Sequence, residues 1–311
     1  MKKTILQNGR LLPALESMLA EEFDVHGLWA EPEPQAFLAR HGARFSGLVT
    51  SAPVGASAEL MAALPNLEVI SSFGVGFDKL DLEAAKERGV RVAYTPDVLN
   101  DCVADLAFGL LIDVARGISA ADRFVRRGEW AKGRYPVTSR VSGKRLGIVG
   151  LGRIGQTIAK RAAGFDMEVA YTNRGPAQVP YRYEPSLAAL AEWADFLVVA
   201  VAGGNGTKGL ISRDILQALG PKGFLVNVSR GTVVDERALV EALVAGSIAG
   251  AGVDVFENEP HVPAELLGLD NVVVLPHVAS GTEETRRAMG DLVLANLRAY
   301  FATRELVTPL I

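Results

Sequence analysis

Residues 145–164 read RLGIVGLGRIGQTIAKRAAG, and this stretch decides the fold because it contains the pattern G-x-G-x-x-G at Gly150, Gly152 and Gly155. In a chain with 32 glycines the pattern alone is weak evidence, since it can arise by chance. Here an apolar run ends directly at the first glycine, and apolar residues at helical spacing follow the last one. This order of strand, turn and helix is typical of a dinucleotide-binding unit.

Each glycine of the pattern has a physical role in such a unit. Gly150 permits the tight turn, Gly152 lets the backbone approach a pyrophosphate, and Gly155 lets the helix pack closely on the strand. The phosphates would bind free N–H groups at the positive end of the helix. We therefore predict that this loop binds a dinucleotide. Its remaining members are Leu151, Arg153 and Ile154.

The end of the next strand, EVAYTNRG at residues 168–175, indicates which dinucleotide is bound. Enzymes that use NAD usually carry Asp or Glu there, which accepts a hydrogen bond from the ribose 2′-hydroxyl. This chain has Thr172, Asn173 and Arg174 instead. Because Arg174 can face a 2′-phosphate and Asn173 can donate to it, we predict NADPH, with NADH as the weaker alternative. The other interpretation of Arg174 is a solvated turn residue.

Strand-like and helix-like segments alternate on both sides of this loop. Five short apolar runs precede it, starting with TILQNG, and most are separated by helical segments of roughly ten residues, which predicts a parallel sheet covered on both faces. From residue 145 onward six apolar runs follow, the number that a full dinucleotide-binding sheet requires. Between the two series, residues 101–130 read as one long helix that crosses between domains.

The last helical segment, EETRRAMGDLVLANLRAYF, follows the completed second sheet, so we expect it to pack back on the first domain. The sequence therefore predicts an α/β fold with two doubly wound parallel-sheet domains. Residues 1–97 plus 284–311 form a flavodoxin-like substrate domain in this prediction. Residues 98–283 form an inserted Rossmann domain that binds NAD(P).

Three chemically reactive side chains follow the ends of late strands. Arg230 lies in LVNVSRGTVVDE, Glu259 in GVDVFENEP and His277 in VVVLPHVASG. Because the carboxyl ends of parallel strands form the crevice where ligands bind, these side chains can converge above a nicotinamide. Taken singly, each residue has an ordinary explanation, since lone histidines are often structural and strand-end Arg or Glu side chains are often solvated. Their joint placement favours a catalytic site.

The three residue types suit hydride transfer to a carbonyl. Negative charge develops on the carbonyl oxygen, so the site needs a proton donor that works near neutral pH, and His277 fits. A carboxylate bonded to the other ring nitrogen fixes the tautomer and favours the imidazolium, which is the role predicted for Glu259. The planar fork of Arg230 can hold an α-keto-carboxylate and polarise the carbonyl.

The sequence resembles the D-isomer-specific 2-hydroxyacid dehydrogenases over nearly its whole length. The motifs GLGRIG, NVSRGTVVDE, GAGVDVFENEP and LPHVASGT match in order and spacing. The resemblance implies Arg230 as the substrate binder, Glu259 as the partner of the histidine and His277 as the acid and base. It also implies that Asp254 binds the nicotinamide carboxamide, and Val228 is expected to contact the cofactor.

Within that family the segments VISSFGVGFDKLD, YTNR and HVASGTEETR look most like glyoxylate, hydroxypyruvate and hydroxyphenylpyruvate reductases that use NADPH. The resemblance further implies that the backbone N–H groups of Val75 and Gly76 bind the substrate carboxylate, for which the glycines at 74 and 76 give access. A small 2-keto acid is thus the expected substrate.

Composition limits the other possibilities. A net charge of −4 argues against sequence-independent binding of nucleic acid, which needs a concentrated basic face. The first residues have neither the form of a signal peptide nor that of a membrane span, and one cysteine suits a reducing compartment, so a cytoplasmic protein is expected. No cluster of His, Cys and carboxylates has the spacing of metal ligands, so no metal is expected.

Two rival functions remain open. One is an NAD-linked dehydrogenase for a bulkier 2-keto acid such as hydroxyphenylpyruvate or phosphoglycerate. The other is a nucleotide-sensing regulatory protein, since a fold alone does not fix an activity. We also expect a homodimer, which the resemblance implies and for which the segment 101–130 is rich in apolar residues beyond one helical face: Leu106, Phe108, Leu110, Leu111 and Ile112.

Overall fold

A computed structural model describes residues 2–311, so Met1, the first residue of the predicted N-terminal segment, lies outside the described residues. The chain divides into two compact units. Unit 1 comprises the chain up to Leu99 together with Thr282–Ile311, and unit 2 is Asn100–Gly281. The divisions thus fall at 99/100 and 281/282, where the sequence predicted 97/98 and 283/284.

Unit 1 contains a five-stranded parallel sheet in the order β2-β1-β3-β4-β5. Apolar side chains of this sheet, such as Leu6, Leu48 and Ile70, are fully buried among helices on its faces. The strands are β1 (Thr4–Gln7), β2 (Asp24–Gly27), β3 (Gly47–Ser51), β4 (Val69–Phe73) and β5 (Arg91–Ala93). The helices are α1 (Pro13–Glu22), α2 (Pro34–His41), α3 (Ala58–Ala62), α4 (Leu82–Glu87) and α12 (Glu283–Thr303).

The C-terminal segment completes unit 1. Helix α12 packs on β4, where the buried Ser71 hydroxyl donates to the Val293 carbonyl over 3.2 Å. The chain end then lies beside β5, since the Leu310 N–H donates to the Val92 carbonyl at 2.7 Å. The expectation that the last helix packs back on the first sheet is therefore correct.

Unit 2 contains a seven-stranded parallel sheet in the order β12-β11-β10-β9-β6-β7-β8. With both sheets parallel and helix-covered, the predicted α/β class with two such domains is confirmed. The strands are β6 (Arg145–Val149), β7 (Glu168–Thr172), β8 (Arg182–Tyr183), β9 (Phe196–Val199), β10 (Phe224–Asn227), β11 (Gly250–Val253) and β12 (Val272–Val274). The helices are α5 (Asn100–Arg116), α6 (Ile118–Arg126), α7 (Arg153–Ala162), α8 (Leu187–Trp193), α9 (Arg213–Leu219), α10 (Glu236–Val244) and α11 (Ala264–Leu267).

The prediction of six strands in this sheet was short by one. Strand β8 has only two residues and no apolar run, so periodicity did not reveal it. It forms because it lies at the sheet edge beside β7, where the Tyr171 and Tyr183 rings pack with centroids 5.4 Å apart. Tertiary packing rather than local preference creates this strand.

The prediction of one long helix over residues 101–130 was wrong, because the chain breaks at Gly117 into α5 and α6. Gly117 is left-handed, with φ of +58°, a conformation that glycine adopts without the steric cost of a side chain. The break is held by Asp113, whose carboxylate accepts hydrogen bonds from the Ser119 N–H at 2.8 Å and from the Ser119 hydroxyl. Tyr135 adds a hydrogen bond from its hydroxyl to the Gly117 carbonyl.

Helix α5 belongs to the core of unit 2. A Cβ atom added to Gly252 would lie 2.9 Å from Leu110, and one added to Gly250 would lie 2.8 Å from Val114, so the glycines of β11 let α5 approach the sheet closely. Phe108 stacks on Phe165 with ring centroids 5.1 Å apart. The structure thereby buries three residues named for the dimer contact: Phe108, Leu110 and Leu111.

The prediction that these three residues form the dimer contact was therefore wrong, since their side chains cover the helix's own domain. The apolar residues exposed in this region lie further along the chain: Ile118, Val125, Trp130 and Val137.

Among the helices formed by residues 2–311, none is both long and apolar enough to cross a membrane.

Candidate active site

The glycine loop follows β6 and leads into α7. Gly150 has φ of +96°, and a Cβ atom there would lie 2.7 Å from the Val201 side chain. A Cβ atom at Gly155 would lie 2.1 Å from the Gly150 carbonyl oxygen, so the first turn of α7 sits directly on the loop. Both positions require glycine for geometric reasons that exist before any ligand binds.

Gly152 differs from its two neighbours in the pattern. It precedes the first residue of α7, has φ of −77°, and a Cβ atom added there would meet no atom of residues 2–311 within 4 Å. The fold alone therefore does not require glycine at this position. Open space above a backbone at the N-terminus of a ten-residue helix fits an approaching pyrophosphate, so the residues present suit a dinucleotide.

The end of β7 closes one side of this loop. The Thr172 carbonyl accepts from the Gly150 N–H at 3.0 Å, and the Asn173 Oδ1 accepts from the Leu151 N–H at 2.8 Å. Asn173 thus holds the loop, a role that the sequence did not suggest. Arg174 is exposed, and within residues 2–311 its guanidinium forms no ion pair, which leaves its charge available.

Val228 directly follows β10, on the opposite side of β6 from β7. Its N–H donates to the Val199 carbonyl at 3.3 Å, and its side chain is buried. It therefore follows β10 close to the end of β9, while its predicted contact with the cofactor stays a prediction.

His277 and Glu259 form a hydrogen-bonded pair at the carboxyl ends of β12 and β11. The His277 Nδ1 lies 2.8 Å from the Glu259 Oε2, while the Glu259 Oε1 accepts from the Phe256 N–H at 3.1 Å. Both side chains remain about one third exposed, at 35% and 34%. The carboxylate therefore fixes the orientation of the imidazole ring, and the Nε2 atom is left for a reacting group.

The backbone of His277 is held as firmly as its ring. His277 has φ of +54°, a left-handed conformation that is uncommon for a residue with a side chain. Its N–H donates to the Asp254 carbonyl at 2.9 Å, and the Asp254 carboxylate accepts from the Val278 and Ala279 N–H groups at 2.7 and 2.8 Å. Burial raises the pKa of the Asp254 carboxyl above its ordinary value, although these two N–H groups act in the opposite direction.

The sequence predicted neither the backbone contacts of Asp254 nor the left-handed conformation of His277. An aspartate directly after the buried strand β11 was a visible signal that this carboxylate needs internal partners. The left-handed conformation of His277 had no comparable signal, because only a few per cent of residues other than glycine adopt it.

Arg230 lies three residues beyond β10, in a loop organised by Asn227. The Asn227 Nδ2 donates to the Arg230 carbonyl at 3.0 Å, and the Asn227 Oδ1 accepts from the Ser229 N–H and hydroxyl. The Arg230 Nη1 donates to the Ser229 carbonyl at 2.8 Å. This network sets the direction in which the partly exposed guanidinium leaves the sheet.

The loop that carries Arg230 packs directly on the loop that carries Glu259. A Cβ atom at Gly231 would lie 1.9 Å from the Phe256 carbonyl carbon, which only glycine allows. The same Phe256 donates its N–H to Glu259. Since β10, β11 and β12 are neighbours, the structure brings the loops of Arg230, Glu259 and His277 to one edge of the sheet.

A cavity of about 270 Å³ lies beside the His277 and Glu259 pair. Its other walls are mainly apolar and come from the loop after β11 and from the end of β12: Phe256, Pro260, Val262, Val274, Leu275 and Pro276. One side of the pair therefore lies close to apolar surface.

Val75 and Gly76 follow β4 in unit 1. The turn begins at Gly74, with φ of +136°, whose N–H donates to the Thr95 Oγ1 at 3.0 Å. Within residues 2–311 the N–H groups of Val75 and Gly76 have no hydrogen-bond partner. Their geometry is compatible with the predicted carboxylate binding, which stays a prediction.

The family model for the NAD binding domain of the D-isomer specific 2-hydroxyacid dehydrogenases matches residues 108–279. That range spans the glycine loop, Arg230, Glu259 and His277. The chain belongs to the D-isomer specific 2-hydroxyacid dehydrogenase family.

Two relatives and one solved structure show where this dehydrogenase lies within the family. It is 48% identical over 298 residues to glyoxylate/hydroxypyruvate reductase A from Arabidopsis thaliana, covering 96% of this chain and 95% of the relative. It is 49% identical, with the same coverage, to hydroxyphenylpyruvate reductase from Plectranthus scutellarioides. A similar solved structure is that of an NADPH-dependent glyoxylate/hydroxypyruvate reductase from Sinorhizobium meliloti in complex with NADP and malonate. Its sequence is 43% identical to this chain, and the TM-score is 0.93. The match covers 100% of this chain and 97% of that one.

The other histidines of the dehydrogenase have structural surroundings. His26 stacks on Phe37 with ring centroids 4.2 Å apart, and its Nε2 lies 2.8 Å from a Glu31 oxygen. The His41 ring packs against Phe37 as well, and the His261 N–H donates to the Asn258 carbonyl.

Over the described residues 2–311, no group of three His, Cys, Asp or Glu side chains is arranged to hold a metal ion.

Proposed function

We propose that this dehydrogenase reduces glyoxylate and hydroxypyruvate to the corresponding 2-hydroxy acids with NADPH, and that His277 donates the proton. The observation that carries the proposal is the 2.8 Å contact between His277 Nδ1 and Glu259 Oε2, at the sheet edge where the Arg230 loop also lies. The family membership and the relatives named above support the same reaction.

The residues of unit 2 suit the cofactor. The open space at Gly152 and the N-terminus of α7 receive the pyrophosphate, with Arg153 and Ile154 in the first turn. When bound, NADPH supplies the hydride that reduces the carbonyl carbon. The chain itself must then orient the keto acid and provide a proton for the carbonyl oxygen.

His277 and Arg230 divide that work. The imidazolium of His277, held by Glu259 through Nδ1, donates its Nε2 proton to the oxygen as negative charge develops there. Arg230 binds the α-keto-carboxylate with its planar fork and polarises the carbonyl. The N–H groups of Val75 and Gly76 bind the same carboxylate in our proposal, which makes unit 1 the substrate-binding domain. Asp254 was predicted to bind the nicotinamide carboxamide, and that contact stays a prediction.

Preference for NADPH over NADH follows from the end of β7. No carboxylate stands there, so nothing repels a 2′-phosphate, and Arg174 is exposed without an ion pair in the described chain. Asn173 uses Oδ1 to hold Leu151 and keeps its Nδ2 for donation. The buried Thr172 contributes through its backbone.

A second candidate substrate is hydroxyphenylpyruvate. The relative from Plectranthus scutellarioides is named a hydroxyphenylpyruvate reductase, and the mainly apolar cavity beside His277 supports an apolar substrate as the second candidate. A purely nucleotide-sensing function has no structural observation in its favour.

We also propose a homodimer in the cytoplasm. The apolar residues Ile118, Val125, Trp130 and Val137 are exposed, and a second copy packs on them in this proposal. Light scattering at micromolar concentration tests the assembly, and a monomer mass would contradict it.

A panel of 2-keto acids, assayed with both cofactors, tests the proposed function. We expect the highest kcat/KM for glyoxylate or hydroxypyruvate with NADPH. A clear preference for hydroxyphenylpyruvate would favour the second candidate. Absence of turnover with every keto acid, together with tight NADPH binding, would favour a nucleotide-sensing protein instead.

A further inference from the structure

The backbone at His277 is in a conformation that the residue itself does not favour. His277 has φ of +54°, which only a few per cent of non-glycine residues adopt, and the next residue, Val278, is β-branched. Such a conformation persists only where its surroundings hold it. The direction of the imidazole therefore depends on groups outside residues 277 and 278.

One residue supplies those contacts. Asp254 binds three consecutive N–H groups, since its carbonyl accepts from His277 at 2.9 Å, its Oδ1 from Val278 at 2.7 Å and its Oδ2 from Ala279 at 2.8 Å. Its side chain is fully buried. Hydrogen bonds from N–H groups to a carboxylate are stronger than those between neutral groups, so this carboxylate is well suited to hold a strained turn.

We propose that Asp254 is a positioning residue for proton transfer, which fixes the backbone of residues 277–279 so that the His277 ring meets Glu259 and presents Nε2 to the substrate. This inference rests on the proposed function, in which His277 is the proton donor. It differs from the role implied by the family resemblance, in which Asp254 contacts the cofactor.

A carboxylate is the side chain that these contacts require. Both oxygens must accept, and an asparagine offers one acceptor and one donor, so its NH₂ group would face an N–H group. Burial disfavours the charged form here, and the raised pKa of Asp254 reflects that cost. A site selected only for packing would avoid that cost with a neutral side chain. The turn that it holds therefore explains why an aspartate stands at this position.

Asp254→Asn separates the two roles. We expect the variant to bind NADPH with the parental Kd and to lose kcat by roughly 10²-fold, the effect of a misplaced catalytic group. Hydrogen exchange should rise in the peptide around residues 277–279 and nowhere else. Weakened NADPH binding with parental kcat at saturation would overturn the proposal in favour of the carboxamide contact.

Asp195→Asn is the matched control. Asp195 also accepts a backbone N–H, from Arg145 at 2.9 Å, but it precedes β9 and so lies at the opposite edge of the same sheet. We expect it to lower stability and leave kcat unchanged. An equal kcat for both variants, measured per folded protein, would overturn the positioning role. If Asp254→Asn does not fold, Asp254→Ser keeps one small acceptor and takes its place.

His277→Asn separates this inference from the proposed function. If His277→Asn turns over like the parent, the proton-donor assignment fails and the positioning role fails with it. If His277→Asn loses turnover while Asp254→Asn keeps it, only the positioning role fails.

Discussion

Glu259 lies between two partners, because one carboxylate oxygen is 2.8 Å from the His277 Nδ1 and the other accepts the Phe256 N–H at 3.1 Å. The second contact matters for the first. The Phe256 N–H restricts the Glu259 carboxylate to an orientation in which it meets the imidazole, so the pair is formed before substrate binds.

We expect Glu259→Gln to lower kcat with glyoxylate while leaving the Kd for NADPH unchanged. The neutral amide can replace one hydrogen bond but cannot stabilise the positive charge of the imidazolium. The loss should be smaller than the ~10²–10⁴-fold typical for removal of a general acid itself. Glu257→Gln is the control, since Glu257 is exposed two residues away, and it should behave like the parent.

Two alanine substitutions in the glycine loop should have different consequences. Gly152→Ala adds a methyl group in open space, so we expect an unchanged Tm and a large loss of NADPH affinity. Gly155→Ala places a methyl group 2.1 Å from the Gly150 carbonyl oxygen, so stability and affinity should both fall. Thermal unfolding and NADPH titration of both variants test this, and intact affinity in Gly152→Ala would contradict the predicted approach of the pyrophosphate.

Cofactor preference should be reversible at one position. Asn173→Asp keeps an oxygen that accepts the Leu151 N–H, but it adds a charge that repels a 2′-phosphate and accepts from a 2′-hydroxyl. We expect kcat/KM to fall with NADPH and to rise with NADH.

Arg174→Ala complements that substitution by removing the charge proposed to bind the 2′-phosphate. A charge-assisted hydrogen bond is worth about 1.5–3 kcal/mol, so NADPH use should fall roughly tenfold to a hundredfold, less as solvent screens the exposed side chain. NADH use should not change. Equal losses with both cofactors would exclude Arg174 as the group that distinguishes them.

Stability should depend on pH through Asp195. Burial opposes its ionisation, yet the hydrogen bonds from the Arg145 side chain and N–H, together with the charges of Arg145 and Lys144, lower its pKa below the ordinary value of 3.8. A lowered pKa in the folded state means that Asp195 stabilises the fold above pH 3.8 and loses that effect as the pH falls through its folded-state pKa.

Asp195→Asn should therefore cost about 1 kcal/mol at neutral pH, a modest figure because Arg145 is partly exposed. The difference from the parent should shrink towards pH 3. Urea unfolding at the two pH values measures it, and a difference that grows on acidification would show that the sign is wrong.

The sequence predicted most of what periodicity and turn chemistry control. The glycine loop, the parallel sheets, and the placement of Arg230, Glu259 and His277 after strand ends all follow from local patterns that the structure reproduces. Those patterns are reliable because each strand has to bury an apolar run and each loop has to leave the sheet at the same edge.

The features that escaped prediction depend on contacts between distant residues. Strand β8 exists through its pairing with β7, and the Gly117 carbonyl at the helix break accepts a hydrogen bond from Tyr135, 18 residues further along the chain. The left-handed His277 depends on Asp254, which lies 23 residues earlier in the chain. The local sequence of these segments does not indicate which distant residue will hold each of them in place.

The rate of NADPH oxidation with glyoxylate or hydroxypyruvate, measured for the parent and for His277→Asn at saturating cofactor, tests the central claim most directly. We expect robust turnover in the parent and a loss of about 10²–10⁴-fold in kcat for the variant, with the Kd for NADPH unchanged. Near-parental turnover in His277→Asn, or no oxidation of NADPH by the parent with either acid, would contradict it.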